Sequence, residues 1–264
     1  NKEFNYFSSI SIYSTIAYFT QAFCIFVMRI IQIPTIGFLY GAKFFSLLFW
    51  NFFVFAAIRK IPSFKFVFFT LALIPMSLFI NSSVSADVIT NALSFYTIAF
   101  FIYLAKSKNK ITWSDTILLV ILLCSLALTK FVYLSIIGLI FIIKKSKFQS
   151  TKKHIAFLTL IIVIPFAIAL FWNSFATKNF YITHNQYNQE YVNKTLMRAE
   201  CSNLTEQIDY VKNNPLETIK KLLNSFRFIY ISQYLGQLGW LDTFVVPAWF
   251  IIFFFLFIVS IAFW

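Results

Sequence analysis

Long apolar stretches alternate with short polar connectors along nearly the whole chain. In the clearest stretch, residues 88–105, no side chain is charged. A helix needs about 20 apolar residues to cross the hydrocarbon core of a bilayer. Segments that meet or approach this length recur throughout the sequence: 36–58, 64–80, 87–105, 116–143, 155–172 and 244–264. The pattern predicts an all-α fold, a polytopic transmembrane helical bundle that forms a single transmembrane domain over residues 1–264.

Composition supports a membrane protein and excludes an ordinary soluble one. The chain is 60% hydrophobic, 21% aromatic and only 12% charged, whereas about 25% of the residues in soluble domains are charged. A cleavable signal peptide does not explain segments that run the whole length. Because the sequence starts at Asn1 without Met and stops at Trp264 inside an apolar run, we expect it to be a fragment of a longer chain.

The basic residues indicate which connectors face the cytoplasm. The formal charge is +13, and Lys and Arg concentrate in short connectors, as expected for loops retained in the cytoplasm. Binding of nucleic acid is therefore not predicted. A common cytoplasmic side places residues 81–87 and 173–243 outside. Three connectors carry the charge: Arg59, Lys60 and Lys65; Lys106, Lys108 and Lys110; and Lys144, Lys145, Lys147, Lys152 and Lys153.

This sidedness requires residues 116–143 to leave the cytoplasm and return. Two full spans need about 40 residues, so we predict a hairpin of two short or partly re-entrant helices that turns within 129–133. Lys130 would then lie at the outer tip or within the membrane. A single tilted span is the rival interpretation, and it would put the basic connectors on opposite sides. For the interrupted apolar segment 9–33, we favour a helix at the outer surface over a span.

The predicted extracytoplasmic loop, residues 173–243, carries an amphipathic helix. Asn214, Pro215 and Glu217 form a typical helix start. The helix would face either the membrane surface or the spans, and in the first case Lys220, Lys221 or Arg227 could hold a phosphate. Its apolar positions recur at helical spacing on one face: Leu216, Ile219, Leu223, Phe226 and Tyr230.

Four residues at outer membrane boundaries are candidates for chemistry. A carboxylate in such a place is costly unless it is paired or hydrated, which singles out Asp87 and Asp242; each could instead cap the helix that follows it. Lys130 could bind a lipid phosphate or extend to the interface. Tyr133 lies one helical turn after it. His154 and His184 fall on opposite sides of the membrane in this topology, so no metal site is predicted. No CxxC, P-loop or GxGxxG motif occurs, and any cofactor stays unknown.

Several motifs, in order along the chain, resemble a prokaryotic membrane family known as domain of unknown function 2142. They cover nearly the whole sequence: Ala57-Ile58-Arg59-Lys60-Ile61-Pro62; Ile74-Pro75-Met76 followed by Ser83-Val84-Ser85-Ala86-Asp87; Thr129-Lys130-Phe131-Val132-Tyr133; and Gly236-Gln237-Leu238-Gly239-Trp240-Leu241-Asp242-Thr243 with Pro247. That family is grouped with the GT-C superfamily of membrane glycosyltransferases.

The resemblance implies a GT-C-like fold with an active site on the outer face. Such enzymes move a sugar from a polyprenyl-phosphate carrier to an envelope acceptor. By this resemblance Asp87 orients the acceptor or holds a metal, Lys130 and Arg227 neutralise the lipid phosphate, and Trp240 stacks on a sugar. The usual catalytic carboxylate belongs to a first outer loop that would precede this sequence, and Glu3 is too near the start to replace it.

The function predicted from these features is that of a bacterial cell-envelope glycosyltransferase. Its partners would be the lipid bilayer and a sugar linked to polyprenyl phosphate. The alternative is a non-catalytic membrane protein, either a lipid-linked saccharide translocator or an envelope assembly partner. A small-molecule transporter is a third option, but such folds often consist of two similar halves with broken helices, and no such repeat occurs here.

Overall fold

The computed structural model describes residues 13–32, 34–180, 204–225, 237–238, 243–244 and 247–262. Nearly all of these residues are helical. The α-helices are α1 (Phe19–Ile30), α2 (Thr35–Lys60), α3 (Lys65–Ala72), α4 (Pro75–Asn81), α5 (Asp87–Lys106), α6 (Trp113–Thr129), α7 (Thr151–Phe180), α8 (Leu204–Asn213), α9 (Pro215–Ser225) and α10 (Pro247–Ala262). Three 3-10 helices join them: Thr15–Tyr18, Phe131–Ile142 and Lys145–Lys147.

Three of the described helices are long and apolar enough to cross a membrane. They are Ile36–Lys60 in α2, Asp87–Lys106 in α5 and Thr151–Ala176 in α7. The prediction of a helical membrane protein is therefore confirmed. The described strands β1 (Gln237–Leu238) and β2 (Thr243–Phe244) form a short antiparallel pair.

The helices α2 and α5 pack side by side and run in the same direction. Aromatic contacts follow in the same order along both: Trp50 stacks edge-on against Phe95, with ring centroids 5.2 Å apart, and Phe53 lies 5.8 Å from Tyr96. Offset and edge-to-face ring pairs add to the packing energy of such a contact. The largest buried cluster, which includes the fully buried Phe100, lies where α5, α6, α7 and the long 3-10 helix meet.

The predicted segment 64–80 is two short helices rather than one. Helix α3 ends at Ala72, and α4 begins at Pro75, the first residue of its first turn. Proline has no amide hydrogen, and its ring clashes with the preceding turn, so it starts a helix well but interrupts one. The apolar content of the segment was predicted correctly, but the break at Pro75 was missed.

Residues 113–147 form the predicted hairpin. Helix α6 ends at Thr129, and after Lys130 the chain returns as the 3-10 helix Phe131–Ile142. The amide of Ile111 donates to the carbonyl of Lys147 over 3.0 Å, so both limbs start and finish at the same end of the bundle. The rival interpretation, a single tilted span, is wrong.

The 3-10 conformation explains how so short a segment makes the return. An α-helix rises by about 1.5 Å for each residue, which gives α6 a length of about 25 Å. A 3-10 helix rises by about 2.0 Å for each residue, which gives Phe131–Ile142 a length of about 24 Å. The second limb therefore matches the first in length although it contains fewer residues.

The three basic connectors meet at one end of the bundle, here called the basic end. The ammonium of Lys60 lies 4.1 Å from the ring centroid of Tyr103, and that of Lys106 lies 4.2 Å from the ring of Phe64. Lys147 donates to the carbonyl of Ser107. These contacts link the first connector to the second and the second to the third, so the connectors that were predicted to share one side of the membrane lie at the same end of the bundle.

The first apolar segment packs against α2. Phe23 in α1 contacts Phe45 in α2, with ring centroids 5.6 Å apart. Gly41 permits this approach, because a Cβ atom there would lie 1.9 Å from Cε of Met28 and 3.1 Å from Sγ of Cys24. The helix lies along the first part of α2, since glycine removes the side chain that would separate them; its position at the outer surface stays a prediction.

Candidate functional site

An ion pair joins Asp87 and Lys130 at the end of the bundle opposite the basic end. Lys130 Nζ donates to Oδ1 of Asp87, and the side chains of Lys130 and Asp87 are 30% and 41% exposed, respectively. Helix α5 has Ala86 as its N-cap and no side-chain capping bond. The alternative in which Asp87 only caps α5 is therefore wrong, because its carboxylate bonds a residue 43 positions away.

The loop before α5 holds Asp87 through a chain of hydroxyl and amide contacts. Ser85 Oγ accepts from the amide of Asp87 over 3.3 Å and from Ser83 Oγ over 2.9 Å. The carbonyl of Ser85 accepts from Nε2 of Gln21 over 3.0 Å. Gln21 is buried in α1, and Thr20 donates to its side-chain oxygen. The first apolar segment thus fixes the loop that carries the carboxylate.

Lys130 occupies the break between the two limbs of the hairpin. Its backbone is extended, with φ −149° and ψ 114°, which ends α6 and starts the 3-10 helix. Burial lowers the pKa of Lys130, but its hydrogen bond to Asp87 and the negative charge of Asp87 outweigh this effect, so the pKa lies above its ordinary value. Lys130 is therefore a cation at neutral pH.

A cavity of about 520 Å³ adjoins Asp87. One wall is a polar stripe on α5, where Asp87, Asn91 and Ser94 follow at helical spacing on one face. Trp50, Phe95 and Tyr133 supply aromatic surface. The remaining lining residues come from α3, α4 and α5: Leu71, Ser77, Ile80, Asn81 and Ile98.

Asn81 fixes the polar side of this cavity. It is 1% exposed, and its Nδ2 donates to the carbonyl of Ser77 over 2.7 Å. Its Oδ1 accepts from Nδ2 of Asn91 over 3.3 Å. Buried amides need such partners, so the pair ties α4 to α5 and holds Asn91 beside Asp87.

A second cavity, of about 250 Å³, adjoins Lys130. Its lining combines aromatic rings, hydrogen-bonding groups and this one cation: Tyr13, Ala127, Leu128, Thr129, Lys130, Phe131, Ala169, Leu170, Trp172 and Asn173. Tyr13 and Tyr133 lie close enough to Lys130 to act on its charge, and Tyr18 is within range of both Asp87 and Lys130. Asp87 lines the first cavity and Lys130 lines the second, so the ion pair lies between the two cavities.

The geometry permits proton transfer and binding of an anion. Asp87 can accept a proton from a hydroxyl group in the first cavity, and Lys130 can donate hydrogen bonds to an anion in the second. Within the described part of the chain, no three His, Cys, Asp or Glu side chains come together, so this part offers no set of metal ligands.

Three of the six predicted site residues lie near one another. Asp87 and Lys130 are bonded, and Tyr133 lines the cavity beside Asp87. The other three, Arg227, Trp240 and Asp242, lie outside the described residues.

Asn81, Asn91 and Ser94 were not predicted as site residues. A signal for two of them was present, because Asn91 and Ser94 fall four and seven residues after Asp87 in an otherwise apolar helix. Gln21 was not predicted as a site residue. Its contact with Ser85 spans 64 positions, and no local pattern predicts such a pairing.

Comparison with known proteins identifies a family. A family model described as "predicted membrane protein (DUF2142)" matches the chain over residues 1–264. No curated protein and no solved structure matches the chain.

Proposed function

The chain belongs to the DUF2142 family of predicted membrane proteins, and we propose that it is a GT-C-like glycosyltransferase of the bacterial cell envelope. In this proposal a sugar passes from a polyprenyl-phosphate donor to an acceptor hydroxyl at the outer face of the cytoplasmic membrane. The Asp87 end of the bundle faces outward, together with residues 173–243, and the basic end faces the cytoplasm.

The observation that supports this proposal most directly is the Asp87–Lys130 pair between two cavities. Glycosyl transfer from a lipid phosphate needs a group that receives a proton and a group that stabilises the departing phosphate. A carboxylate and an ammonium beside separate cavities provide these two functions. Both belong to the end where the charge pattern places the outside.

The acceptor occupies the cavity beside Asp87 in this proposal. Asn91 and Ser94 offer polar groups that suit a molecule rich in hydroxyl groups, and Asn81 holds Asn91 in place. Trp50 and Tyr133 add ring surface, and aromatic rings supply apolar area while Tyr keeps a polar end. Asp87 receives the proton as the acceptor oxygen attacks the anomeric carbon.

The donor phosphate lies on the Lys130 side. As the acceptor oxygen bonds to the anomeric carbon, the bond from that carbon to the phosphate oxygen breaks and its electron pair leaves on the phosphate. Lys130 stabilises the resulting polyprenyl phosphate as a compact cation with three donors. Arg227 supports Lys130, Trp240 stacks on the sugar and Asp242 is the second catalytic carboxylate.

The ion pair has a consequence for the order of events. While Lys130 donates to Oδ1 of Asp87, that carboxylate oxygen is already engaged. An incoming phosphate offers Lys130 another anion. Donor binding therefore releases Asp87, and base catalysis begins only when the donor is in place.

The second candidate is a non-catalytic protein that translocates a lipid-linked saccharide or takes part in envelope assembly. The same ion pair favours it, since Asp87 is already engaged and is the one carboxylate that lines either cavity in the described part of the chain. Such a protein would bind the lipid phosphate and the saccharide without breaking the bond between them.

Transfer of radiolabelled sugar by the full-length gene product in proteoliposomes tests the proposal. Polyprenyl-phosphate sugars serve as donors and envelope saccharides as acceptors. We expect Asp87→Asn to lower transfer at least about 100-fold, the usual contribution of a general base. Asp115→Asn is the matched control, because Asp115 belongs to the capping box at the start of α6 and should retain activity.

Lys130→Ala examines the donor side, with Lys110→Ala at the basic end as its control. We expect Lys130→Ala to weaken binding of the lipid phosphate and Lys110→Ala to leave it unchanged. Retained lipid-phosphate binding in Lys130→Ala removes this residue from the site. Absence of transfer from every donor, with specific binding of a lipid-linked saccharide, favours the non-catalytic alternative.

A further inference from the structure

Helices α8 and α9 form a connected pair whose apolar faces are uncovered in the described part of the chain. Leu216 is 82% exposed and Leu223 is 66% exposed. On α9 these residues share one face with Ile219 and Leu222, at the spacing of an amphipathic helix. Helix α8 repeats the pattern with Ile208 and Val211, which are also exposed.

Polar contacts connect the two helices. Lys221 Nζ donates to the hydroxyl of Tyr210 over 2.6 Å and lies 4.8 Å from the centroid of its ring. It also pairs with Glu217 at 2.9 Å. The amide of Asn214 donates to the carbonyl of Tyr210 over 2.9 Å, which closes the turn between the helices. The apolar side chains of α9 take no part in these contacts and stay available for another surface.

We propose that α8 and α9 lie on the membrane surface, with their apolar faces at the boundary between headgroups and acyl chains. The occupant of these faces is the bilayer in which the protein's own spans are embedded. The chain reaches the pair from the spanning helix α7 and continues to the apolar helix α10, so both neighbours in sequence tether it to the membrane. Lys212 and Lys220 flank the apolar faces, where they can meet lipid phosphates.

This inference is independent of glycosyl transfer, since it concerns how the extracytoplasmic segment is oriented and not what the site binds. An amphipathic helix with a strongly polar opposite face settles in the interface plane and does not cross the bilayer. The polar face of α9, with Glu217, Lys221 and Ser225, then points toward water.

Spin labelling of the intact protein in lipid nanodiscs tests the proposal. After replacement of Cys24, Cys124 and Cys201, single cysteines are placed at Leu216, Ile219 and Leu223 on the apolar face. The matched controls are Glu217→Cys and Ser225→Cys on the polar face of the same helix. Collision rates with oxygen, which concentrates in lipid, and with a water-soluble nickel chelate are compared at each position.

The expected result is a ratio of oxygen to chelate collisions that is several-fold higher at the three apolar positions than at the two controls. Equal, high access to the chelate at all five positions overturns the proposal in favour of a water-exposed pair. Protection of the apolar positions from both reagents also overturns it, because the face would then pack against protein. Circular dichroism and gel filtration establish that each variant is folded.

Discussion

Asp87 and Lys130 illustrate how two isolated charges can be tolerated at a membrane boundary. Each would be expensive to desolvate alone, and pairing offsets part of that cost. Because both side chains keep some contact with solvent, we expect breaking this pair to cost less than breaking a buried pair and more than breaking a typical surface pair. Its partial exposure also leaves the charges accessible to a ligand.

A double-mutant cycle of Asp87→Asn and Lys130→Met measures this pair. Each single change leaves one charge without its partner, so we expect each to lower the free energy of unfolding by about 1–3 kcal/mol, between the ranges for exposed and buried pairs. The free energy of unfolding of the double variant should fall by less than the sum of the two single losses. Thermal or denaturant unfolding in nanodiscs provides the measurement, and additive losses would contradict the pairing.

The pH dependence of this coupling follows from the raised pKa of Lys130. When the pKa of a group is higher in the folded state than in the unfolded state, its contribution to stability is complete below the unfolded pKa, which is about 10.4 for Lys. That contribution is lost as the pH rises through the pKa of the folded state. We therefore expect constant coupling between about pH 6 and 9 and a decline only above about 10.4. Repeating the double-mutant cycle across this pH range tests the expectation. A decline of the coupling energy between about pH 7 and 9 would contradict a raised pKa of Lys130.

Among the uncharged residues of the site, we expect substitution of Asn81 to lower the free energy of unfolding most. Asn81→Ala leaves the side-chain amide of Asn91 without this partner, and an unsatisfied buried polar group costs about 1–3 kcal/mol. We expect a loss of this size in unfolding experiments. The exposed Ser82, whose hydroxyl bonds only the nearby carbonyl of Phe79, is the control; Ser82→Ala should change stability by less than about 0.5 kcal/mol.

At the scale of elements, the hairpin of α6 and the 3-10 helix determines where Lys130 stands. The 3-10 helix Phe131–Ile142 is unusually long for its type, and it brings the chain back to the basic end in the length available. Helix α6 starts from a capping box in which Thr112 Oγ1 accepts from the amide of Asp115, and the carboxylate of Asp115 accepts from the amide of Thr112. The start of the hairpin and its tip are therefore fixed by different residues.

Thr112→Ala should weaken the start of α6 without affecting the site. Loss of a Thr cap costs about 1 kcal/mol, and faster hydrogen exchange should be confined to the first turn of α6. Binding of lipid phosphate should be unchanged, because Lys130 lies at the other end of the helix. A loss of binding in a folded Thr112→Ala protein would mean that the two ends of the hairpin are coupled.

At the scale of the whole molecule, the parallel course of α2 and α5 and the return through α6 and the 3-10 helix separate two chemically distinct ends. The basic end contains the three lysine-rich connectors, joined by cation–π contacts and by a hydrogen bond to a backbone carbonyl. The opposite end contains the Asp87–Lys130 pair and the cavities beside it. A membrane between them would keep the basic connectors on one side.

Cysteine accessibility in intact cells tests this arrangement. With the native cysteines replaced, we expect Val84→Cys to react with a membrane-impermeant maleimide added outside. Lys108→Cys and Lys145→Cys should react only after permeabilisation. Lys108 precedes the hairpin and Lys145 follows it, so labelling of one of these cysteines, but not the other, in intact cells would contradict the hairpin. Val84→Cys serves as the external reference.

The sequence by itself determined the class of the protein, most of the apolar helical segments, the shared end of the basic connectors and the turn at Lys130. These features follow from the length of the apolar runs, which must match the thickness of the bilayer, and from the charge of the connectors. Both properties can be read from neighbouring residues. The start of α9 at Pro215 was also evident, because capping chemistry depends on adjacent residues.

Only the tertiary structure decided which side chains meet. The bond between Asp87 and Lys130 joins residues 43 positions apart, and Gln21 reaches Ser85 across 64 positions. Such contacts depend on how helices pack against one another, and the periodicity of one helix carries no information about its neighbour's register. For the same reason, the sequence pointed to Asp87 and Lys130 separately, and packing alone made them a pair placed between two cavities.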